Sequence, residues 1–556
     1  MENNNKTANR SLAAITFRGN NVNKPCIAAA RPRAPYHRIA LAIGLATLAT
    51  PLLADDTFKF DGYLREELSW NTENWQDTKD YDDRGKLSMA RTTAQLNFDW
   101  KATDSVSVVA KLRGVKEIKT NFLDHLEKMG ANNYHESDGR GDIMDLYDRA
   151  EIRELYVDFP VGERTSFRIG KQQIAWGETD FFAANDLVHG FDYTWRSFLQ
   201  PANEELRKTN NIIKMNIDVP EAQGGLEVFL RPGLDAKKDI GTELDIYGGR
   251  WSSQPYAGVD FRNIDPYNFE NDEGDYRDVT GGIRWSGMWG DNNYSLSYLR
   301  TFYNSPILNA SDDLRLIGRP DLPSGAETQG TSKTRGVAGE VIYPIVDIFG
   351  FTGSRYSDWA DAVFSTEIAY IKDAPYQFQA QVPTLISQLV APGFDGFTRK
   401  DVLASMLRMD KNFAFTQSLL GTEKPMFFSV QIFDKWVQNF DDDDQLLYSV
   451  GWGGKVKEHT TLATTIFDLS YNSGRIHPQL VLGADLTNKG GFAVPSVTFE
   501  LSSKLRWKVE YDAFWDDEWR DGDKCTPGNA ATCDSTTLFG YFHNRDQLYT
   551  SLTYLF

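Results

Sequence analysis

Residues 90–101, ARTTAQLNFDWK, alternate without a break: Ala90, Thr92, Ala94, Leu96, Phe98 and Trp100 fall on one face, and Arg91, Thr93, Gln95, Asn97 and Asp99 on the other. A strand sends successive side chains to opposite faces, so such a stretch must lie between an apolar environment and a polar one. The pattern recurs along the chain. Phe58, Phe60, Gly62, Leu64, Leu68 and Trp70 oppose Lys59, Asp61, Tyr63, Arg65 and Glu67, and Val106, Val108, Ala110 and Leu112 oppose Ser107, Lys111 and Arg113. Near the end, Leu505, Trp507, Val509, Tyr511, Ala513 and Trp515 oppose Arg506, Lys508, Glu510 and Asp512, and the last ten residues, QLYTSLTYLF, continue the alternation to Phe556.

Half-buried strands of a soluble sandwich or a β-solenoid alternate in the same way. Three features favour a transmembrane barrel instead. The strands exceed the globular norm of roughly five or six residues. Trp70, Trp100 and Trp515 stand at strand ends, where a membrane interface would lie. Connections are sorted by length: short turns at 102–104, 161–164, 221–224 and 502–504 interleave with long polar segments near 119–148, 179–208, 233–256, 304–333, 440–457 and 517–544. Short turns at one end and long loops at the other are the habit of outer-membrane barrels. The expected fold is an all-β antiparallel barrel of about 16 strands, with 14 to 18 consistent because 233–276 and 345–424 are ambiguous.

The formal charge of −19 argues against nucleic acid as a partner. At the amino-terminus Lys6, Arg10, Arg18, Lys24, Arg31, Arg33 and Arg38 stand against the single acid Glu2, ahead of IALAIGLATLATPLLA. Residues 1–54 read as a secretory signal cleaved after Ala54; a membrane anchor would need a longer apolar run, free of Pro51. The barrel is then expected to fill 55–556, with Phe58 following the expected cleavage too closely for an N-terminal plug domain. Cys525 and Cys533, around a Pro-Gly turn in an exported chain, are expected to form a disulfide worth ~2–3 kcal/mol. No metal site is expected there, because other Cys or His ligands are missing nearby, and no cofactor is expected.

At 168–179 the chain reads RIGKQQIAWGET, after EIRELYVDFPVGERTSF. These residues resemble a family of large Gram-negative outer-membrane barrels of unknown function, in which an R-I-G-[KR]-Q strand runs into W-G-E-[ST] and a substantial loop. A looser resemblance reaches porin-like and alginate-export-like barrels. The resemblance implies an integral outer-membrane location and, for some members, movement of hydrophobic or lipid-like compounds. The alternating Leu552, Tyr554 and terminal Phe556 are similar to the assembly signal that barrel-insertion machinery reads. The implied partners are outer-membrane lipids, lipopolysaccharide, that machinery, an unidentified solute and a periplasmic or inner-membrane exporter.

Loop 179–208 holds Phe181, Phe182, Phe191, Tyr193, Trp195 and Phe198. So much aromatic surface calls for cover. The loop is expected either to fold into the lumen or to pack on the rim. In the first case Asp180, Phe181, Phe182, Tyr193, Trp195 and Arg196, with strand-borne Arg168 and Lys171, form a constriction. Lumen-facing bases and acids are nearly balanced, which fits cross-strand pairing better than strong ion selectivity. The acids at 441–444 and 516–518 could hold Ca²⁺ or form a solvated loop. Val402, Leu403, Met406 and Leu407 fall at helical spacing and predict a short helical insertion near 397–415.

The exported chain has six histidines and no G-x-S-x-G, so an enzyme is disfavoured. The expected function is a porin-like channel for passive or facilitated passage of small or hydrophobic solutes. The alternatives are the outer-membrane part of a lipid or hydrophobic-compound exporter, and a surface receptor or adhesion barrel. Deleting Phe556 is expected to impair assembly rather than transport, seen as loss of the heat-modifiable species on semi-native electrophoresis.

Overall fold

A computed structural model describes residues 57–74, 82–129, 142–193, 195–196, 199, 203–232, 250–251, 266–267, 279–305, 307–308, 341–380, 395–448, 454–516 and 538–556. The expected signal at 1–54, the expected Cys525–Cys533 disulfide and Phe198 lie outside them. Among the described residues, eighteen strands form the wall. In chain order they are β1 Phe58–Asn71, β2 Leu87–Lys101, β3 Ser107–Glu117, β4 Arg149–Val161, β5 Thr165–Gln172, β6 Asn210–Val219, β7 Gly224–Arg231, β8 Thr280–Trp289 and β9 Asn292–Phe302. They continue as β10 Ile345–Ser357, β11 Ala362–Phe378, β12 Gly396–Phe413, β13 Met426–Val437, β14 His459–Asp468, β15 Ile476–Asp485, β16 Gly490–Glu500, β17 Leu505–Asp516 and β18 Gln547–Leu555. Each pairs antiparallel with the next, and a two-residue strand, Leu446–Leu447, adds to the end of β11. The count falls at the top of the expected range.

β18 returns to β1 in register from Tyr63↔Leu555 to Asn71↔Gln547 and closes the cylinder. The pairing runs on past the strand end: Gly62 N donates to Phe556 O at 3.2 Å, and Phe556 N donates to Gly62 O at 3.1 Å. The Phe556 ring rests beside Phe60, centroids 5.8 Å apart.

Burial runs opposite to that of a soluble protein. Leu64, Leu68, Ile169, Ile213, Leu296, Phe349, Leu407, Leu548 and Leu552 are exposed, whereas Glu67, Arg91, Arg113, Glu117, Arg153, Glu510 and Asp512 are buried. Apolar rows facing outward and charged rows facing inward, in a sheet without an edge, make this chain an integral outer-membrane barrel. Connections at one end are short (102–106, 162–164, 220–223, 290–291, 358–361, 414–425, 469–475, 501–504). At the other end they run through 72–86, 118–148, 173–209, 232–279, 303–344, 379–395, 438–458 and 517–546, with 486–489 the one tight turn. Exposed Trp100, Trp289, Trp359, Trp507 and Tyr356 cluster beside the short connections, forming the aromatic belt expected at one interface.

The helix expected near 397–415 is instead strand β12. Val402, Ala404 and Met406 are buried inside the barrel, and Leu407 is 63% exposed outside it. The lumen here is apolar, so both faces carry apolar side chains, and period two becomes indistinguishable from helical spacing. A short helix, α3 Phe415–Leu419, follows the strand; α1 Asn121–Met129, α2 Asn203–Leu206 and α4 Leu538–Phe542 lie in the long connections. Leu296→Arg on the outer face should lower unfolding free energy in lipid vesicles by roughly 2–4 kcal/mol, measured by urea titration.

Candidate functional site

The connection 173–209 between β5 and β6 is tied first at its root. The Gln172 amide donates to Ile212 O at 3.0 Å. Ile174 N donates to His189 Nε2 at 3.0 Å, and His189 Nδ1 meets Asn210 Oδ1 at 2.9 Å. Because Nε2 accepts, the ring is neutral, with its proton on Nδ1. Burial, with Arg231 and Arg207 nearby, holds the His189 pKa well below its ordinary value. Arg231 on β7 donates to Val188 O at 2.5 Å and to Thr301 on β9 at 2.6 Å, fixing the root to the wall.

Beyond the root, the loop reaches walls that are far apart around the ring. Toward β11 to β13, Glu367 accepts from the backbone N–H of Asn185 at 3.0 Å and from that of Glu178. Arg408 donates to Glu178 O at 2.7 Å and pairs with Asp180 at 3.1 Å, while Gln431 donates to Asp180 at 2.7 Å. Phe182 meets Phe433 edge-on at 5.8 Å, and Phe181 meets Phe492 of β16 at 5.8 Å.

Toward β1 to β4, Arg65 grips Glu205 of α2 through two bonds of 2.8 and 3.1 Å, and Arg153 donates to Glu204 O and Arg207 O. Trp195 is buried among Arg113, Arg91 and Arg149, whose guanidinium carbons lie 4.0, 5.0 and 5.7 Å from its ring. Arg196, fully buried, pairs with Glu510 at 2.6 Å and Asp512 at 2.9 Å on β17 and lies 3.7 Å over the Tyr549 ring of β18. One segment can touch β1 to β4, β11 to β13 and β16 to β18 only by crossing the interior.

The expected constriction residues therefore divide. Asp180, Phe181, Phe182, Tyr193, Trp195 and Arg196 all belong to this crossing loop, and Tyr193 stacks on Phe191 at 5.9 Å. Arg168 stands apart on β5, bound to Asp158 at 2.7 and 2.8 Å and lying 4.1 Å over Tyr156. Lys171 does not share the lumen with Arg168. It is in register with Leu155 and Asn211, in the outward row that carries exposed Leu155 and Ile169. Residues three apart on a strand point to opposite faces.

Sequence reasoning missed Glu367, Arg408, Gln431 and Arg231, which hold the loop, and Arg250 and Trp251 of the β7–β8 connection. Arg250 bonds Glu117 and Ser88 O, and Trp251 packs on Phe514 and Phe542. Charged residues that break an inward apolar run, Glu367 before Ala369 and Ile371 and Arg408 after Val402, Ala404 and Met406, are the signal that could have found the first two.

The lumen is thereby split by chemistry. Its β1–β4 and β17–β18 side carries charge: Arg91 bonds Glu117 at 3.0 Å and Arg113 bonds Glu151 at 2.5 Å. Its β10–β14 side is lined by Ile348, Ile371, Ala404, Phe433 and Leu462, which with Phe181, Phe182 and Tyr193 enclose a cavity of ≈ 210 Å³. A second cavity, of ≈ 410 Å³ and more polar, lies toward the short-turn end beneath Trp176, Gly177 and Glu178. Among the described residues no group of three His, Cys, Asp or Glu could hold a metal ion.

Arg196→Met leaves Glu510 with Lys508 but strips buried Asp512 of its cation, and is expected to destabilise the folded barrel by roughly 3–5 kcal/mol, with most of the loss recovered when Asp512→Asn is added. Denaturant titration followed by semi-native electrophoresis checks both.

Among solved structures, the chain is similar to Acinetobacter baumannii OccAB4, at 7% identity, covering 90% of this chain and 99% of that one with a TM-score of 0.44. It is similar also to Pseudomonas aeruginosa OccK3 (8% identity, 90% and 95% covered, TM-score 0.42) and to Salmonella typhi OmpF in complex with daunomycin (7%, 90% and 97%, TM-score 0.36). No curated protein matches the sequence. The family described as "Protein of unknown function (DUF1302)" matches residues 38–556, and the chain belongs to that family.

Proposed function

We propose that this barrel is a channel through which small or hydrophobic solutes cross the outer membrane passively, around a fixed loop that narrows the lumen. The observation that carries the reading is the crossing of the interior by 173–209, held on opposite walls by Arg196 and by Glu367 with Arg408. A loop tied at both sides restricts the path to what its own edges leave free. On the β10–β14 side that remainder is bounded by Phe181, Phe182, Leu187, Phe433 and Leu462, side chains that favour an apolar solute over a hydrated ion. Asp186, Lys435, Asp485 and Asn488 line the same cavity and supply polar contacts, which fits a solute with an apolar body and hydrogen-bonding groups.

The way the polar groups are used supports a non-catalytic reading. His189 is committed to Ile174 and Asn210, and Asp180, Asp186, Asp192 and Glu205 of the crossing are committed to arginines.

Conductance in planar bilayers tests the proposal. The native chain should conduct weakly, and deletion of 181–198 should raise the unit conductance severalfold while the heat-modifiable barrel persists. Silence from both proteins would end the channel reading.

A further inference from the structure

Arg284 stands on β8 directly opposite Glu227 of β7, and both side chains belong to inward rows. Adjacent inward residues of opposite charge normally pair across the strands. These two do not. Glu227 is already engaged on both oxygens: Trp176 Nε1 donates to Oε1 at 2.5 Å, and Lys214 Nζ donates to Oε2 at 3.3 Å. Arg284 instead places its guanidinium carbon 5.6 Å from the Trp176 ring centre. Its Nε is buried without a hydrogen-bond partner, and among the described residues Arg284 forms no ion pair. The group borders the ≈ 410 Å³ cavity toward the short-turn end.

We infer that this cavity is an oxyanion subsite, in which Arg284 takes the carboxylate or phosphate head group of a solute. The guanidinium, lying near the indole, keeps N–H groups for a planar, bidentate acceptor. Hydroxyl donors are close at hand. Ser297 is the other cross-strand neighbour of Arg284, and the Ser295–Thr352 hydroxyl pair, 2.7 Å apart, borders the same space. Two carboxylates also line the cavity. Glu367 turns its oxygens to backbone N–H groups of the loop, but Glu178 adds negative charge that disfavours a dianion. A monoanionic carboxylate is therefore preferred to phosphate. Together with the apolar cavity beyond the loop, the subsite selects solutes with an apolar body and one acidic end. As a statement about solutes in transit this rests on the channel reading; as a statement about binding it does not.

The test is calorimetric titration of the full purified barrel in detergent with octanoate, inorganic phosphate and octylammonium, alongside bilayer conductance. Octanoate should bind tightest. Arg284→Gln should weaken octanoate about 10- to 100-fold, the loss expected for a charge-assisted pair, and Arg284→Lys less so. Trp176→Phe leaves Arg284 in place but releases one oxygen of Glu227 to it. It should weaken octanoate too, and adding Glu227→Gln should restore binding. Undiminished octanoate binding by Arg284→Gln overturns the subsite, as does octylammonium binding equal to that of octanoate. Phosphate binding tighter than octanoate overturns the carboxylate assignment. Should Arg284→Gln fail to give a heat-modifiable barrel, the Trp176→Phe pair decides alone. Octanoate binding in a barrel that never conducts would remove the channel reading and leave the subsite standing.

Discussion

Hydrocarbon offers no hydrogen bonds, so every N–H and C=O of the wall has to be paired within the sheet, and a sheet satisfies that demand only by closing. The seam between β1 and β18 is where the demand is met. Without it, two rows of backbone groups, from Tyr63 to Asn71 and from Gln547 to Leu555, would face lipid unpaired. Closure also fixes which face is inside. Once Leu548 and Leu552 look outward, Tyr549 and Ser551 must look inward, and the same parity passes from strand to strand around the ring. The bulge on β4, where Arg153 and Glu154 both turn inward between neighbours of opposite parity, is a local adjustment to that order.

Charge collected inside a closed wall has to find partners there. On β1 to β4 most of it does so across the strands. The remainder is met by the long connections: Glu205 answers Arg65, Arg250 answers Glu117, and Arg196 answers Glu510 and Asp512. The inward arginines and acids of the wall thus anchor the loops, and the loops in turn neutralise the wall. Buried ion pairs contribute little net stability compared with well-packed apolar residues, but breaking one leaves an uncompensated charge in a poor solvent. Such contacts fix position more than they stabilise.

The sequence was most legible where the lumen is charged. Along β1, β2 and β17, Arg, Glu, Asp and Lys alternate with Phe, Leu and Trp, and both the strand and its orientation follow from period two. Legibility failed along β10 to β12, where Val346, Ile348, Ala369, Ile371, Val402 and Ala404 line an apolar interior. With apolar groups on both faces, Val402-Leu403 and Met406-Leu407 satisfy helical and strand spacing alike. The crossing loop was legible as an aromatic surplus needing cover, which placed Phe181, Phe182 and Trp195 but not their partners. Glu367 and Arg408 lie far along the chain from Asn185 and Glu178, and only the register of the closed sheet brings them together. Lys171 illustrates the reverse case: it lies on the same strand as Arg168, yet strand parity separates the two.

The two anchors constrain how the proposed channel could open. Arg196 holds the loop to β17 and Glu367 holds it to β11, so a swing toward either wall strains the opposite attachment. A path created by loop movement would have to break a charge-assisted contact in each cycle, whereas a path along the edge of the loop breaks none. Of the two edges, the one beside β1 to β4 is filled by the Trp195–arginine stack and its ion pairs. The other, beside β10 to β14, retains a cavity whose lining is mainly apolar, with Asp186, Lys435 and Asp485 among it. In the proposed channel, passage on that side would require rotamer changes in Phe182, Phe433 and Leu462 rather than displacement of the backbone, and aromatic and leucine side chains reorient at far smaller cost than a buried salt bridge breaks. The rigid loop and the deformable, mainly apolar flank of the proposed channel would together discriminate by the polarity of the solute before its size.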